Sequence, residues 1–273
     1  MSHDHTYLHG EGHAQHVHAA RSAEDSAAFL LPHLTADTRL LDVGCGPGTI
    51  TLDLADRIAQ LGGSSSQVTG ADSSESAIAT ALNLATDRGL GTEFFLSDAS
   101  SLPFEDNSFD IVFASQMLHH VSDPIAALKE FTRVTRPGGL ITSREIDYGA
   151  MLWYPPTPGL SRWRAVFSVI SDLNGNQPNA GRHLPYWFTQ AGLSDLTVSS
   201  SNWTYGSAEE KQTLASSWSQ RTQEENYREL AAQALGESAD EAIEQIVDGW
   251  NTWAQTPGSL FLMPHVEVIA RKA

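Results

Sequence analysis

The sequence predicts an α/β fold in which the strands form a mostly parallel, doubly wound sheet with helices on both faces. Three observations carry that prediction. Strand patterns alternate with helix patterns through the first half of the chain. Four successive strand patterns end in polar side chains, namely Asp42, Asp72, Asp98 and Ser115-Gln116. A glycine turn, Gly44-Cys45-Gly46-Pro47-Gly48, joins the first strand to the next helix. In open sheets of this kind ligands sit beyond the carboxyl ends of the strands, where strand order reverses. The turn and the acids therefore mark a binding region.

Arg21 to Leu34, with Ala23, Ala27, Leu30 and Leu31 on one side, predicts a helix packed on the edge of the sheet. Arg39 to Val43 is a buried strand, and Ile50, Leu54, Ile58 and Leu61 fall at helical spacing after the turn. Gln67 to Asp72 is a second strand; Ser73 or Ser74 caps a helix from about Ser76 to Arg88, with Gly89 past its end. Thr92 to Leu96 and Phe109 to Ala114 are the third and fourth strands, the latter a near-continuous apolar run suited to burial on both faces. Asp123-Pro124 starts a helix with Ile125, Leu128, Phe131 and Val134 inward, and Pro137-Gly138-Gly139 turns into a fifth strand, Leu140 to Ile146. Helices at about Leu160 to Leu173 and Ala208 to Gln255 read as a helical cap inserted between late strands, and Asn179 to His183 opens the helix before strand six. The expected organisation is a lid and helix over 1–38, a ligand-binding half over 39–148, and the remaining strands with the cap over 149–273, all one domain.

Composition limits the function classes. The 273 residues include 33 acidic and 16 basic ones, a formal net charge of -17, which repels phosphate backbones and anionic membranes and favours a small-molecule substrate. With Cys45 as the single cysteine, no intramolecular disulfide forms and a reducing compartment is compatible. The start lacks a signal-peptide pattern and no run approaches the roughly 18 apolar residues that span a bilayer, so the expectation is a cytoplasmic protein, monomeric or homodimeric. The glycine turn excludes two nucleotide loops. A dinucleotide fingerprint requires a third glycine where Thr49 stands, and a P-loop requires a Gly-Lys-Ser/Thr ending.

The turn reads G-x-G-x-G with an acid two residues ahead, and Asp72 lies 24 residues beyond Gly48 on the next strand. Leu102-Pro103-Phe104, Asn107 to Asp110, Leu118-His119-His120-Val121 and Arg136-Pro137-Gly138-Gly139 add further matches. On these motifs residues 39 to 147 resemble the class I S-adenosylmethionine (SAM) dependent methyltransferases, in particular the ubiquinone and menaquinone biosynthesis group acting on small metabolites. The resemblance implies a Rossmann-like, seven-stranded sheet whose last strand, Ser259 to Lys272, runs antiparallel. It also implies SAM as cofactor, with S-adenosylhomocysteine as product. Asp42, Gly44, Cys45, Gly46 and Gly48 would lie at its methionine end, Asp72 and Ser73 at the ribose, Asp98 and Ala99 at the adenine, with Ser115 and Gln116 completing the site.

A methyl on a positively charged sulfur needs chiefly alignment and a dry pocket. A thiolate or free amine attacks unaided, whereas a hydroxyl or acidic carbon gains from proton removal. His119, His120, Glu145, Asp147 and Tyr148, near the ends of strands four and five, are the candidates, against the plainer reading of packing or capping groups. All seven tryptophans come after residue 150, which suggests an aromatic acceptor pocket with Trp153, Tyr154 and Arg182 among its contacts, although Trp250 and Trp253 fit an inward helical stripe. Six of the eleven histidines fall in the first eighteen residues; that segment reads as a lid contributing Tyr7 and His13, or as a flexible start, and no metal site is assigned to it. The reading is methyl transfer to a small, apolar or aromatic metabolite. The alternative is a SAM-binding protein that does not methylate.

Overall fold

A computed structural model describes residues 21–273. Within them the chain divides into two units, one of residues 21–145, 180–201 and 265–273, the other of residues 146–179 and 202–264.

The first unit carries the parallel strands. β1 (Leu40–Val43) pairs with β2 (Val68–Asp72) and β4 (Phe109–Ser115), β2 with β3 (Glu93–Leu96), and β4 with β5 (Thr135–Ile146), all in parallel. The order runs β3-β2-β1-β4-β5 and continues to β8 (Leu260–Arg271), which also pairs with β7 (Thr197–Tyr205) and, antiparallel, with the short β6 (Leu152–Tyr154). Strand order reverses between β1 and β4, which puts the ligand crevice at their carboxyl ends.

Side-chain alternation decides what covers each face. Leu41, Val43, Val112, Ala114 and Ile141 pack with Leu128 and Phe131 of α4 (Pro124–Val134) and with Leu184 and Phe188 of α6 (Ala180–Gln190). Leu40, Ile111, Phe113 and Leu140 pack on the opposite face with Leu54, Ala55 and Ile58 of α2 (Thr49–Gln60) and with Leu30. Ser74 caps α3 (Glu75–Arg88) by accepting the Ala77 N–H at 3.2 Å, and Asp123 caps α4 by accepting from Ala126 at 2.9 Å, each cap contributing about 1 kcal/mol.

The second unit is helical around an aromatic core. Trp163 of α5 (Pro158–Leu173) meets Trp218 of α7 (Ala208–Arg221) and Trp250 of α9 (Ala239–Gln255) edge to face at 4.6 and 5.0 Å, while Trp218 and Trp250 lie parallel 6.1 Å apart. Tyr227 of α8 (Glu225–Leu235) is buried in the same cluster. The Lys211 ammonium donates to Ser259 Oγ at 3.0 Å and the Thr256 carbonyl at 3.3 Å, joining α7 to the turn before β8.

Three sequence expectations are corrected. The helix over Arg21 to Leu34 is only α1 (Ala23–Ser26) and then a 3-10 turn, Leu31–His33: the backbone leaves the α conformation at Ala27 (φ -138°, ψ 16°), and Pro32, having no N–H, cannot donate to the Ala28 carbonyl to continue a helix through this stretch. The sheet has eight strands, since Leu152 to Tyr154 adds β6. The stretch Ala208 to Gln255 is three helices; Glu224 is extended and Gly236 takes φ +60°, which breaks the helical path twice.

In the second unit α5 crosses α9 at paired glycines. A Cβ on Gly159 would lie 2.6 Å from the Gly249 Cα, and one on Gly249 2.6 Å from the Gly159 Cα. Alanine inside a helix ordinarily stabilises by about 1 kcal/mol relative to glycine. Here Gly249→Ala is expected to destabilise by about 1–3 kcal/mol through overpacking, read as a lower urea midpoint. A raised midpoint would show that the helices do not meet so closely.

Candidate cofactor and active site

The first unit assembles its polar groups at the ends of β1, β2 and β4. After Val43 the backbone takes φ +73°, +54° and +82° at Gly44, Gly46 and Gly48, a left-handed region that side-chain-bearing residues rarely enter. The Gly44 and Cys45 N–H groups donate to the Ala71 carbonyl at 2.8 and 3.1 Å, which ties the turn to β2. A Cβ on Gly48 would meet Ala81 Cβ at 2.9 Å and the Phe94 ring at 3.0 Å, whereas one on Gly46 would meet no protein atom within 4 Å. Gly48 therefore serves packing, and Gly46 leaves its backbone accessible to a ligand.

Asp42 lies beneath this turn. It is buried, accepts the Thr51 hydroxyl at 2.6 Å, and is pushed up to about 7 by burial, with Thr51 opposing and Asp72 adding. Asp72 is the better-placed carboxylate for a ligand. Its Oδ2 accepts the Gly46 N–H at 2.8 Å and its Oδ1 the Ser74 N–H at 2.9 Å, so the group is aimed by the backbone while each oxygen keeps a lone pair. Those lone pairs can accept two hydroxyl donors. Asp98 is exposed, and its Oδ1 accepts both the N–H and the hydroxyl of Ser100 at 2.7 and 2.6 Å, which lowers its pKa and keeps it ionised. Ser73 and Ala99 adjoin these two acids in the chain; Ser73 is exposed and Ala99 half-buried.

The turn after β4 carries the second group. Gln116 takes φ +53° and donates its N–H to the Arg144 carbonyl at 2.8 Å, while Gln116 Oε1 accepts from Arg21 at 3.5 Å. The fully buried Glu145 caps the next three residues. Its Oε1 accepts the Met117 and Leu118 N–H groups at 2.9 and 2.7 Å, and its Oε2 lies 2.7 Å from His119 Nδ1. Burial pushes Glu145 up to about 8 against these backbone donors. The His120 ring lies beside that of His119, with centroids 3.8 Å apart. The β1 and β4 turns touch, because a Cβ on Gly44 would fall 2.2 Å from Met117 Cγ. Ser115 Oγ and Gln116 Nε2 are buried without a hydrogen-bond partner among the described residues.

The remaining sites divide. Asp147, Tyr148, Trp153 and Tyr154 belong to the second unit. Asp147 accepts the Ala150 N–H at 3.0 Å as a cap, and the Tyr148 ring packs 4.4 Å from Phe167. Trp153 stacks on Phe261 at 5.8 Å with the Arg164 guanidinium 4.7 Å from its ring, and Tyr154 is 60% exposed. Arg182 is exposed on α6 of the first unit, and Tyr7 and His13 lie outside the described residues. Sequence reasoning missed Thr51, Met117 and Arg144. Arg144 is buried on β5, with Nε 3.2 Å from Ser201 Oγ and 3.6 Å from Glu267 Oε1, and burial lowers it to about 10. A basic residue inside an apolar strand pattern was the available signal, since such a charge must be paired.

Glu145→Ala is expected to cost about 2–5 kcal/mol in urea unfolding, because two buried N–H groups lose their acceptor; Glu145→Gln retains an acceptor oxygen and is expected within about 1 kcal/mol of wild type. Glu145 holds its proton in the folded chain up to about 8, against an ordinary 4.5 when unfolded. Unfolding stability is therefore fully present below that lower value and falls as pH rises toward 8, and less steeply in Glu145→Gln. Equal slopes in the two proteins would contradict the assignment.

A family profile described as a methyltransferase domain matches residues 41–142. An uncharacterized methyltransferase of Schizosaccharomyces pombe is 30% identical over 261 residues, covering 94% of this chain and 92% of the relative. A ubiquinone biosynthesis O-methyltransferase of Parvibaculum lavamentivorans is 37% identical over 105 residues, 38% of this chain and 39% of the relative. Among solved structures, the [4+2]-cyclase SpnF shares the fold with a TM-score of 0.51 at 24% identity, covering 95% of this chain and 80% of that one. With the glycine turn, the aimed Asp72 and a methyltransferase relative matched nearly end to end, the chain belongs to the SAM-dependent methyltransferase family.

Proposed function

We propose that the chain methylates a small, largely apolar or aromatic metabolite, at oxygen, nitrogen, sulfur or carbon. The observation that carries this reading is the contact of the β1 turn with the β4 turn, which sets Asp72 and the His119 segment around a common strand-end region. Gly44, Cys45, Gly46 and Gly48 would hold the methionine part of SAM, Asp72 and Ser73 the ribose, Asp98 and Ala99 the adenine, with Asp42 stiffening the turn and Ser115 and Gln116 supplying donors. Bound SAM supplies a methyl group on a positively charged sulfur. The chain's own residues align the acceptor, exclude water and, where the acceptor is acidic, take its proton; His119, His120, Glu145, Asp147 and Tyr148 are the groups considered for that task. Tyr7, His13, Trp153, Tyr154 and Arg182 are proposed as acceptor contacts, within a lid over 1–38 and a cap formed by late helices. The charge of -17 argues against a polyanion as acceptor. No helix among the described residues is long and apolar enough to cross a membrane, and we place the enzyme in the cytoplasm, as a monomer or homodimer.

A second reading is a SAM-binding protein that catalyses something other than methylation, and the fold shared with a [4+2]-cyclase favours keeping it. Incubation with SAM and a panel of phenol, enol, amine and thiol acceptors separates the two. Stoichiometric S-adenosylhomocysteine and a product heavier by one methyl support methylation; tight SAM binding with no S-adenosylhomocysteine from any acceptor supports the second reading.

Asp72→Ala is expected to weaken SAM binding by about 1–3 kcal/mol, roughly 5- to 150-fold, in calorimetric titration. Asp72→Asn keeps an acceptor for the Gly46 N–H and separates loss of ligand contacts from loss of turn geometry. Unchanged affinity in both variants would remove Asp72 from the ribose site.

A further inference from the structure

Among the described residues, three buried donors of the second unit have no hydrogen-bond acceptor: Trp163 Nε1 on α5, Trp250 Nε1 on α9 and the Tyr227 hydroxyl on α8. None of the three side chains is more than 1% exposed, and all belong to one cluster. The two indoles adjoin, with ring centroids 5.0 Å apart at 75°. Buried polar groups are nearly always bonded, and an unmet one costs more than an apolar group of the same shape. A phenylalanine at 227 would pack alike at no such cost. The cluster is able to satisfy an indole, since Trp253 Nε1, beside Trp250, donates to the Tyr154 carbonyl at 3.1 Å. The electrostatic setting has a sign. The Arg221 guanidinium on α7 lies 4.4 Å over the Trp218 ring and 5.6 Å from that of Phe167, and hydrogen-bonds to Tyr148. Tyr227 and the half-buried Glu224 also act on its charge. A fixed cation among these rings repels a second cation and favours an oxygen carrying negative charge or partial charge.

We propose that this cluster is a binding site for a flat, apolar molecule bearing an oxygen that only accepts hydrogen bonds, a carbonyl or a carboxylate, with Trp163, Trp250 and Tyr227 as its donors. An indole N–H cannot accept, which sets that requirement on the ligand. The surrounding rings offer faces and edges to a planar frame. A site built on unmet donors discriminates sharply, because an analogue without the oxygen leaves them unpaired again. An ammonium ligand would bring a second cation beside Arg221 and donors against donors. Trp163 and Trp250 have no exposed surface, so the ligand enters as the rings part, and association is slower than for an open cleft. The residues all lie within the second unit, and the inference stands apart from the methyl-transfer reading. The same chemistry serves a methyl acceptor or a separate effector.

The test follows the indole 15N–1H signals of the full chain, those of Trp163 and Trp250 being identified by their loss in Trp163→Phe and Trp250→Phe. The probes are 2-acetylnaphthalene and 2-naphthoate, with naphthalene and 2-naphthylmethylamine as controls. Both oxygen probes are expected to move both signals saturably. Calorimetry on the wild type, which needs no variant to fold, is expected to give each at least about tenfold higher affinity than naphthalene, with the amine unbound. Tyr227→Phe is expected to weaken the ketone about fivefold or more without lowering the urea midpoint, since it deletes an unmet hydroxyl. Signals unmoved by either oxygen probe, naphthalene or the amine binding as well as the ketone, or a Tyr227→Phe chain with a lower midpoint and unchanged affinity overturns the proposal. A parallel incubation with SAM separates the two sources of the ligand: S-adenosylhomocysteine formed with an oxygen probe marks a methyl acceptor and binding without turnover an effector, and either upholds the site. Failure of S-adenosylhomocysteine itself to bind counts against the methyl-transfer reading and leaves the indole titration to judge this cluster.

Discussion

Two strand-end turns must approach so closely that one of them has no room for a side chain. The turn after β1 reaches Met117 of the turn after β4, and Gly44 is the residue whose missing Cβ allows it. The other features of the first unit hold those turns in place. Asp72 receives the Gly46 N–H, Glu145 receives the Met117 and Leu118 N–H groups, and the Ala71 carbonyl receives Gly44 and Cys45. Strand order reverses between β1 and β4, so these contacts fall where a doubly wound sheet opens its crevice.

Holding the turns has an energetic consequence. Burying carboxyl groups opposes their ionisation, and both Asp42 and Glu145 are pushed up toward neutrality. The first unit offsets this with donors at short range: Thr51 for Asp42, backbone N–H groups for Glu145, and, nearby on β5, the Arg144 charge set against Glu267, which itself accepts from Ser199 and Ser201 at 2.7 and 2.6 Å. The second unit is stabilised differently. Its interior is a cluster of edge-to-face and stacked aromatic rings, and its α5–α9 crossing depends on Gly159 and Gly249.

The parallel strands were legible because burial on both faces writes continuous apolar runs, as in Ile111 to Ala114, and because glycine and proline mark turns by conformational necessity. The capping of α3 by Ser74 and of α4 by Asp123 was legible for the same local reason. What stayed hidden was set by tertiary contact. Nothing local to Met117 announces that it fills the space above Gly44, and Thr51 reads as a helix residue until its hydroxyl is seen on Asp42. The stretch Arg21 to Leu34 carries helical spacing but leaves the helix at Ala27, and the three residues of β6 are too few for a periodic signal. The tryptophans after residue 150 also divided on contact: Trp163, Trp250 and Trp253 are core, whereas Trp153 stays partly accessible beside Arg164.

The central claim is that the turn after Asp42 cradles the homocysteine end of a sulfonium methyl donor while Asp72 takes its ribose. Isothermal titration of the full chain with S-adenosylhomocysteine tests it most directly. A saturable one-to-one isotherm is the predicted result. No heat with S-adenosylhomocysteine, repeated with SAM at the same concentrations, would contradict the account.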